Sequence, residues 1–214
     1  MARRIRWQIV IATLCIVLVS GLLGRLALRN TSVSNPLNGG SYREALLGTP
    51  SQPIPLLNDP LSDPVGRDLG TLLFDGLIRI GADGLPEPGL ASSYEITPDG
   101  LVYTFHLRRN VTWHDGSPFS ADDVIFTLRT LQSLAQPGDP ALAQIWQDVL
   151  IDRVDDATVR CTLAEPQASF LSAARMAILP AHLLSGTPPE QWAATGYDTT
   201  LVGTGPFVLS ALRD

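Results

Sequence analysis

Residues 99–123, DGLVYTFHLRRNVTWHDGSPFSADD, contain several local signals of secondary structure. Apolar and polar residues alternate at the start of this stretch, which predicts a strand with one apolar face. The apolar positions are Leu101, Tyr103, Phe105 and Leu107. A second short extended piece at 111–113 runs into a turn at 114–116. Ser120 and Asp123 then precede an apolar run at the spacing of a capping box, so a helix is predicted to begin there.

Similar signals extend in both directions from this stretch. Turn residues at 97–100 separate the strand from an extended piece at 94–96, which predicts an antiparallel hairpin. Asp-Pro pairs at 63–64 and 139–140 predict the N-cap and first residue of two further helices. The capped helix is expected to end at 136–138. The apolar face of the helix after residue 64 is predicted to consist of Leu69, Leu72, Leu73 and Leu77. The other predicted strands are 41–47, 78–80, 150–154, 158–163 and 208–212.

Composition excludes one class of function. All 15 basic residues of the 214-residue chain are arginines, and five of them lie in the first 30 residues, which contain no acid. The remaining residues therefore carry 10 basic and 21 acidic side chains, a net charge of −11. A surface this acidic argues against nucleic-acid binding. An intramolecular disulfide is not expected, because Cys15 lies in an apolar N-terminal run and Cys161 in a predicted strand.

The first 30 residues are typical of a membrane-targeting segment. Three arginines precede an uncharged, largely apolar run at 7–24, and two arginines follow it. The arginine distribution predicts a cytoplasmic N-terminus. No convincing cleavage site follows the run, so we expect a membrane anchor at 1–30 and a polar linker at 31–40. A cleaved signal peptide is the alternative.

Several short motifs follow one another at fixed spacing. They are Phe74-Asp75-Gly76-Leu77, Pro88-Gly89-Leu90-Ala91, Tyr103-Thr104-Phe105-His106-Leu107-Arg108, the run Trp113 to Val124, and Gly203-Thr204-Gly205-Pro206-Phe207. In this combination the sequence resembles the extracellular solute-binding proteins of family five, the peptide-, nickel- and oligosaccharide-binding receptors of ABC importers. The resemblance covers residues 41–212 and is to the N-terminal portion of such receptors, so we expect a fragment or a truncated product.

This resemblance implies an α+β fold of the periplasmic-binding-protein type, class II, in its peptide-binding form. The small lobe, antiparallel strands with helices, is expected at 61–190. Residues 41–60 would begin the large lobe, and 191–214 would return to it. The turn at 203–207 (Gly203, Thr204, Gly205, Pro206 and Phe207) would then mark the hinge where the chain re-enters the large lobe.

Three residues are candidates for the ligand side. In the resembled family the chain near Asn58 and Asp59 passes close to the ligand cleft, although both residues also suit a plain turn beside Pro60. Arg175 precedes a segment that in some relatives directs side chains into the cleft. There it could meet a ligand carboxylate, whereas the simpler interpretation is a solvated surface arginine.

Neither a metal site nor a catalytic site is predicted. The candidate metal ligands are His106, His114, Asp115, Asp122 and Asp123. Their spacing lacks the paired ligands of known metal motifs, and the last of them is already assigned to a cap. No nucleophile–base arrangement is evident either, since Ser120 is also assigned to the cap and His182 follows Pro180 at a predicted helix start. We therefore expect no enzyme activity and no cofactor.

The function implied by the resemblance is capture of a peptide or similar solute outside the cytoplasmic membrane. Two lobes would close on the solute, which an ABC permease would then receive. The expected location is the periplasm or the outer face of the membrane, with an N-terminal helix in the membrane. The alternatives are a membrane-tethered ectodomain with a structural or sensor role, and a secreted hydrolase domain, which would need the nucleophile–base pair that is missing.

Overall fold

The computed structural model of the chain describes residues 7, 14, 16–22, 25 and 45–211. The chain divides into two compact units, residues 1–45 and 46–214. In the first unit, residues 16–22 are helical. The rest of the predicted anchor or signal peptide at 1–30, and the whole linker at 31–40, lie outside the described residues apart from isolated positions. Within the described part of the chain, no helix combines the length and the apolar character needed to cross a membrane.

Antiparallel strands form the centre of the second unit. They are β1 (Ile78–Ile80), β2 (Pro86–Pro88), β3 (Ala91–Ile96), β4 (Val102–Leu107), β5 (Leu150–Asp155) and β6 (Thr158–Thr162). β1 and β2 form a two-stranded ribbon, and the other four form a sheet in the order β3-β4-β6-β5. In the central pair, Tyr103 lies opposite Cys161 and Phe105 opposite Val159.

The antiparallel hairpin predicted around the turn at 97–100 is confirmed. β3 and β4 pair antiparallel, with Tyr94 opposite Phe105. Gly100 adopts a φ of 70° in the connecting turn, a conformation that glycine reaches without a steric penalty. Tyr103, Phe105 and Leu107 are buried and alternate with half-buried residues, as the period-2 pattern predicts.

Helix α2 (Ala121–Ser133) confirms the predicted capping box. The backbone N–H of Ser120 donates to the Asp123 carboxylate (3.0 Å), and the Ser120 hydroxyl oxygen accepts from the first turn of the helix. Val124, Leu128 and Leu131 are buried, and α2 packs against β5 and β6. The helix ends at Ser133, a few residues before the predicted stop at 136–138.

Helix α1 (Pro64–Leu73) begins where it is predicted to begin. The carboxylate of Asp63 accepts a hydrogen bond from the first turn. The predicted apolar face is wrong at Leu72, which is 42% exposed. Since successive helical residues are rotated by about 100°, burial of the last residue of α1 directs Leu72 outward. Phe74 is extended and ends the helix, so Leu77 is buried but does not belong to α1.

The remaining elements are short. They are α3 (Pro140–Trp146), α4 (Phe170–Ala173), α5 (Ala181–Leu184), 3-10 turns at Pro189–Gln191 and Ala193–Thr195, and α6 (Tyr197–Thr200). Asp139 caps α3 as predicted, accepting from two backbone N–H groups. With these helices around an antiparallel sheet, the α+β class is confirmed.

Two predicted strands at the ends of the second unit are not formed in the part that the structure describes. Residues 45–47 and 208–211 lie outside any strand. A strand needs a neighbour for its backbone hydrogen bonds, and no described strand pairs with either segment. Residue 207 instead bonds to the end of α1, through its N–H and the Leu72 carbonyl (3.2 Å).

Candidate functional site

A pocket of about 180 Å³ opens between the proline-rich loop before α1, α1 itself and the segment after α4. Its walls include Asn58, Arg67, Thr71, Phe74, Arg175 and Met176. Two of the three ligand-side candidates, Asn58 and Arg175, thus line one pocket although they are far apart in the sequence. Such mixtures of apolar walls and a few polar groups are typical of small-molecule sites.

Asn58 is held rigidly at this pocket. Its side chain is buried, and its amide nitrogen donates to the carbonyl oxygens of Gln52 (2.9 Å) and Asp63 (3.3 Å). Its backbone N–H also donates to Ile54 (3.1 Å), so loop and side chain support each other. Part of its role is therefore to shape the loop before α1.

Asp59 does not line the pocket. Its exposed carboxylate accepts from the Ser62 hydroxyl (2.7 Å) and the Leu61 N–H (3.0 Å). These two hydrogen bonds hold the pKa of Asp59 below its usual value. This geometry is that of a turn residue, the simpler of the two interpretations that the sequence allows.

Arg175 differs from the other arginine at the pocket. The Arg67 guanidinium pairs with Asp68 (2.9 Å), whereas the exposed Arg175 guanidinium makes no hydrogen bond or ion pair with any described residue. The backbone of Arg175 is fixed because it packs directly on Gly76, where any Cβ would overlap the Arg175 carbonyl. A free cation on a fixed backbone at a pocket can receive an anionic ligand group.

The predicted hinge turn at 203–207 packs against the end of α1. The Gly205 N–H donates to the Leu73 carbonyl (2.9 Å), and a side chain at Gly203 would overlap that same carbonyl. Two hydrogen bonds from the turn also reach the imidazole of His114: the Gly203 N–H donates to Nδ1 (3.1 Å), and Gly205 accepts from Nε2 (2.9 Å). Sequence reasoning missed this role of His114, because no local pattern links residues so far apart in the chain.

A second histidine contact lies on the same turn as His114. Nε2 of His182 in α5 lies 2.8 Å from the carboxylate of Asp115. Burial raises the pKa of Asp115, but hydrogen bonds from His182 and the Ser117 backbone outweigh burial, so the pKa lies below its usual value. This pair, too, was not predicted.

The candidate metal ligands lie at separate places. Glu95 faces His106 (3.6 Å), Asp122 pairs with Arg153 (3.1 Å), and Asp123 caps α2. Burial raises the pKa of Asp123 above its usual value, although hydrogen bonds from the N–H groups of Ser120, Ala181 and Trp113 act to lower it. Among the described residues, no three His, Cys, Asp or Glu side chains are grouped so that they could hold a metal ion.

Comparisons with known proteins agree with one another. The family model for the bacterial extracellular solute-binding proteins, family 5 (middle), matches residues 86–213, more than half of the chain. The dipeptide-binding protein of Escherichia coli is 34% identical over 148 residues, which cover 57% of this chain and 26% of that protein. The chain thus spans about a quarter of the length of the curated relatives it matches.

Solved structures show the same fold. The ABC transporter substrate-binding protein CtaP of Listeria monocytogenes superposes with a TM-score of 0.67 at 28% identity, covering 78% of this chain and 33% of CtaP. A dipeptide-binding protein from Pseudoalteromonas, solved with Met-Leu, gives a TM-score of 0.63 at 25% identity. The match covers 77% of this chain and 36% of that protein. The predicted fold of the peptide-binding type is confirmed.

Proposed function

Because the chain belongs to the bacterial extracellular solute-binding proteins of family 5, we propose that it forms part of a receptor that captures peptides outside the cytoplasmic membrane for an ABC permease. The relatives are named for binding, several of them for binding peptides. No reaction step is part of this function. Capture rests on closure of two lobes around the ligand, with 203–207 as the hinge turn at the return to the large lobe.

The observation that carries the proposal is the pocket with Arg175 at its wall. Its lining joins apolar residues to Arg175, whose guanidinium makes no hydrogen bond or ion pair with any described residue. Among the described residues that line the pocket, Asp139 alone is acidic, and it is engaged as the N-cap of α3. A peptide offers the matching chemistry, an apolar side chain and a terminal carboxylate. We assign Arg175 to the carboxylate and Asn58 to the neighbouring polar wall.

The proposal also includes the setting of the receptor. The family is extracellular by description, and the arginine-flanked apolar run at 7–24 supports tethering through an N-terminal membrane helix. A peptide bound on the outer face would remain close to the permease. Peptide is favoured over a nickel complex or an oligosaccharide because the pocket combines apolar walls with a cation.

Calorimetric titration of the 214-residue chain in detergent micelles with Met-Leu, and with Met-Leu amide, tests this function. We expect Met-Leu to bind, and its amide to bind about 10- to 100-fold more weakly, the range for loss of a charge-assisted hydrogen bond. Arg175→Gln should remove this difference between the two peptides. The matched control is Arg109→Gln, which changes an exposed arginine distant in sequence and outside the pocket.

Two results would overturn the proposal. One is equal affinity of the folded chain for Met-Leu and for its amide. The other is an equal effect of the two arginine substitutions, since a general charge effect of the acidic surface would weaken both variants alike.

A further inference from the structure

Both ring nitrogens of His114 are engaged by the backbone of 203–205. The Gly203 N–H can only donate, so Nδ1 must accept and carry no proton. The Gly205 carbonyl can only accept, so Nε2 must carry the proton. One tautomer of the neutral imidazole satisfies both contacts. An imidazolium ion cannot, because it carries a proton on each nitrogen.

We propose that the contact between His114 and the 203–205 segment is pH-sensitive: the segment is held while His114 is neutral and loosened when His114 is protonated. The inference depends on geometry and not on the ligand of the receptor. Where the proposed function also holds, protonation acts on the hinge turn.

The packing around Gly203 makes protonation consequential. A proton on Nδ1 would place two N–H donors 3.1 Å apart. Gly203 cannot move toward α1, because it already abuts the Leu73 carbonyl. The repulsion therefore has to be relieved by rotation of the ring or by displacement of the segment. Two other hydrogen bonds of the segment join backbone groups only. The backbone N–H of His114 donates to the Gly203 carbonyl (2.9 Å), and the Gly205 N–H donates to the Leu73 carbonyl (2.9 Å), so neither bond involves a titrating group.

One carboxyl group lies near His114. Asp75, two residues after α1, lies near the ring, and its backbone N–H lies 3.4 Å from the Thr204 hydroxyl. Burial raises the pKa of Asp75, although a hydrogen bond with Thr204 partly opposes this.

On the same turn, Asp115 is already paired with His182, and Tyr197 lies near it. Protonation of His182 strengthens its bond to Asp115, since both partners are then charged. The two histidine contacts of this turn thus respond to acid in opposite directions. Acid loosens 203–205, while α5 stays attached.

Selective 15N labelling of histidine rings and glycine amides in the full chain tests the proposal by NMR. Only three histidines and 18 glycines have to be assigned. At pH 7.5 the His114 ring is expected to show the Nε2–H tautomer. The protection factor of the Gly203 amide against hydrogen exchange should fall about 3- to 10-fold between pH 7.5 and pH 5.0, the range for loss of one hydrogen bond. Gly100, whose amide bonds to Thr97, serves as the internal reference.

Two variants separate the proposal from general acid loosening. His114→Asn keeps an acceptor near Gly203 that does not titrate, so the pH dependence at Gly203 should disappear. His182→Asn is the matched control and should retain it. An Nδ1–H tautomer of His114 at pH 7.5, or equal protection of Gly203 at both pH values in the native chain, would overturn the proposal. Both of these results are measured on the native chain, so they remain decisive even if a variant fails to fold.

Discussion

Asp63 uses both carboxylate oxygens, and this arrangement predicts the effect of one substitution. Oδ1 accepts from the Gly66 N–H (2.8 Å) and caps α1. Oδ2 accepts from the N–H groups of Ser51 (2.8 Å) and Gln52 (2.9 Å) and from the Ser51 hydroxyl (3.0 Å). Asp63 is only 5% exposed. In Asp63→Asn one of these two positions becomes an NH₂ group. The less costly orientation places the NH₂ group at the Oδ1 position, where the Gly66 N–H loses its acceptor and faces another donor.

The expected loss follows from these contacts. One unsatisfied donor costs about 1–3 kcal/mol, so Asp63→Asn should lower the free energy of unfolding by about 1–3 kcal/mol. Asp139→Asn is the matched control, because Asp139 also precedes a proline but uses one oxygen, which accepts from Ala141 and Leu142. Asparagine can serve there as an N-cap, and we expect a change below about 0.5 kcal/mol.

The assay is urea unfolding of the native chain and both variants, followed by far-UV circular dichroism. Burial raises the pKa of Asp63, but hydrogen bonds from Gln52, Gly66 and Ser51 outweigh it, so the folded-state pKa is below the usual value of about 3.9. The contribution of Asp63 is therefore complete above that value and is lost as the pH falls through the folded-state pKa. The difference in the free energy of unfolding between the native chain and Asp63→Asn should therefore become smaller in acid. Equal stability of the two asparagine variants at pH 7 would refute this reasoning.

Three further predictions concern packing. Gly203→Ala should lower the midpoint of thermal unfolding and displace the 203–207 turn, because its Cβ would overlap the Leu73 carbonyl. Gly186→Ala, with open space around it, should have little effect on the same melting curve. Leu128→Ala should cost about 2–5 kcal/mol in urea unfolding, since the side chain is fully buried. Burial raises the pKa of Cys161 to about 12, so the thiol should react with iodoacetamide at pH 8 only after denaturation, as mass spectrometry would show.

The parts of the fold that sequence reasoning predicted are those that neighbouring residues determine. The capping box of Ser120 and Asp123 and the N-caps Asp63 and Asp139 depend on residues within one helical turn. The alternation along β4 depends on one strand with one buried face. Each of these signals is complete within a few residues of sequence, so it can be recognised without the tertiary structure.

The candidate site was predicted less completely, for the same physical reason. The pocket brings Asn58 together with Arg175, and the His114 contact joins residues 89 positions apart. No spacing rule connects such residues, because the tertiary fold alone decides which backbone groups meet a side chain. The family resemblance suggested the pocket residues, and it suggested the turn at 203–207 as a hinge. It gave no indication of the imidazole that holds this turn.

The strand order of the four-stranded sheet has a consequence for how the protein folds. The hairpins β3-β4 and β5-β6 each join neighbouring strands, and hairpins of this kind form within about 1–10 µs. The pairing of β4 with β6 must bring Tyr103 beside Cys161, across a stretch that contains α2 and α3. Closing that long loop is entropically costly before its contacts form. We therefore expect two early hairpins and a slower joining step, so that substitutions between β4 and β6 slow folding more than substitutions within either turn.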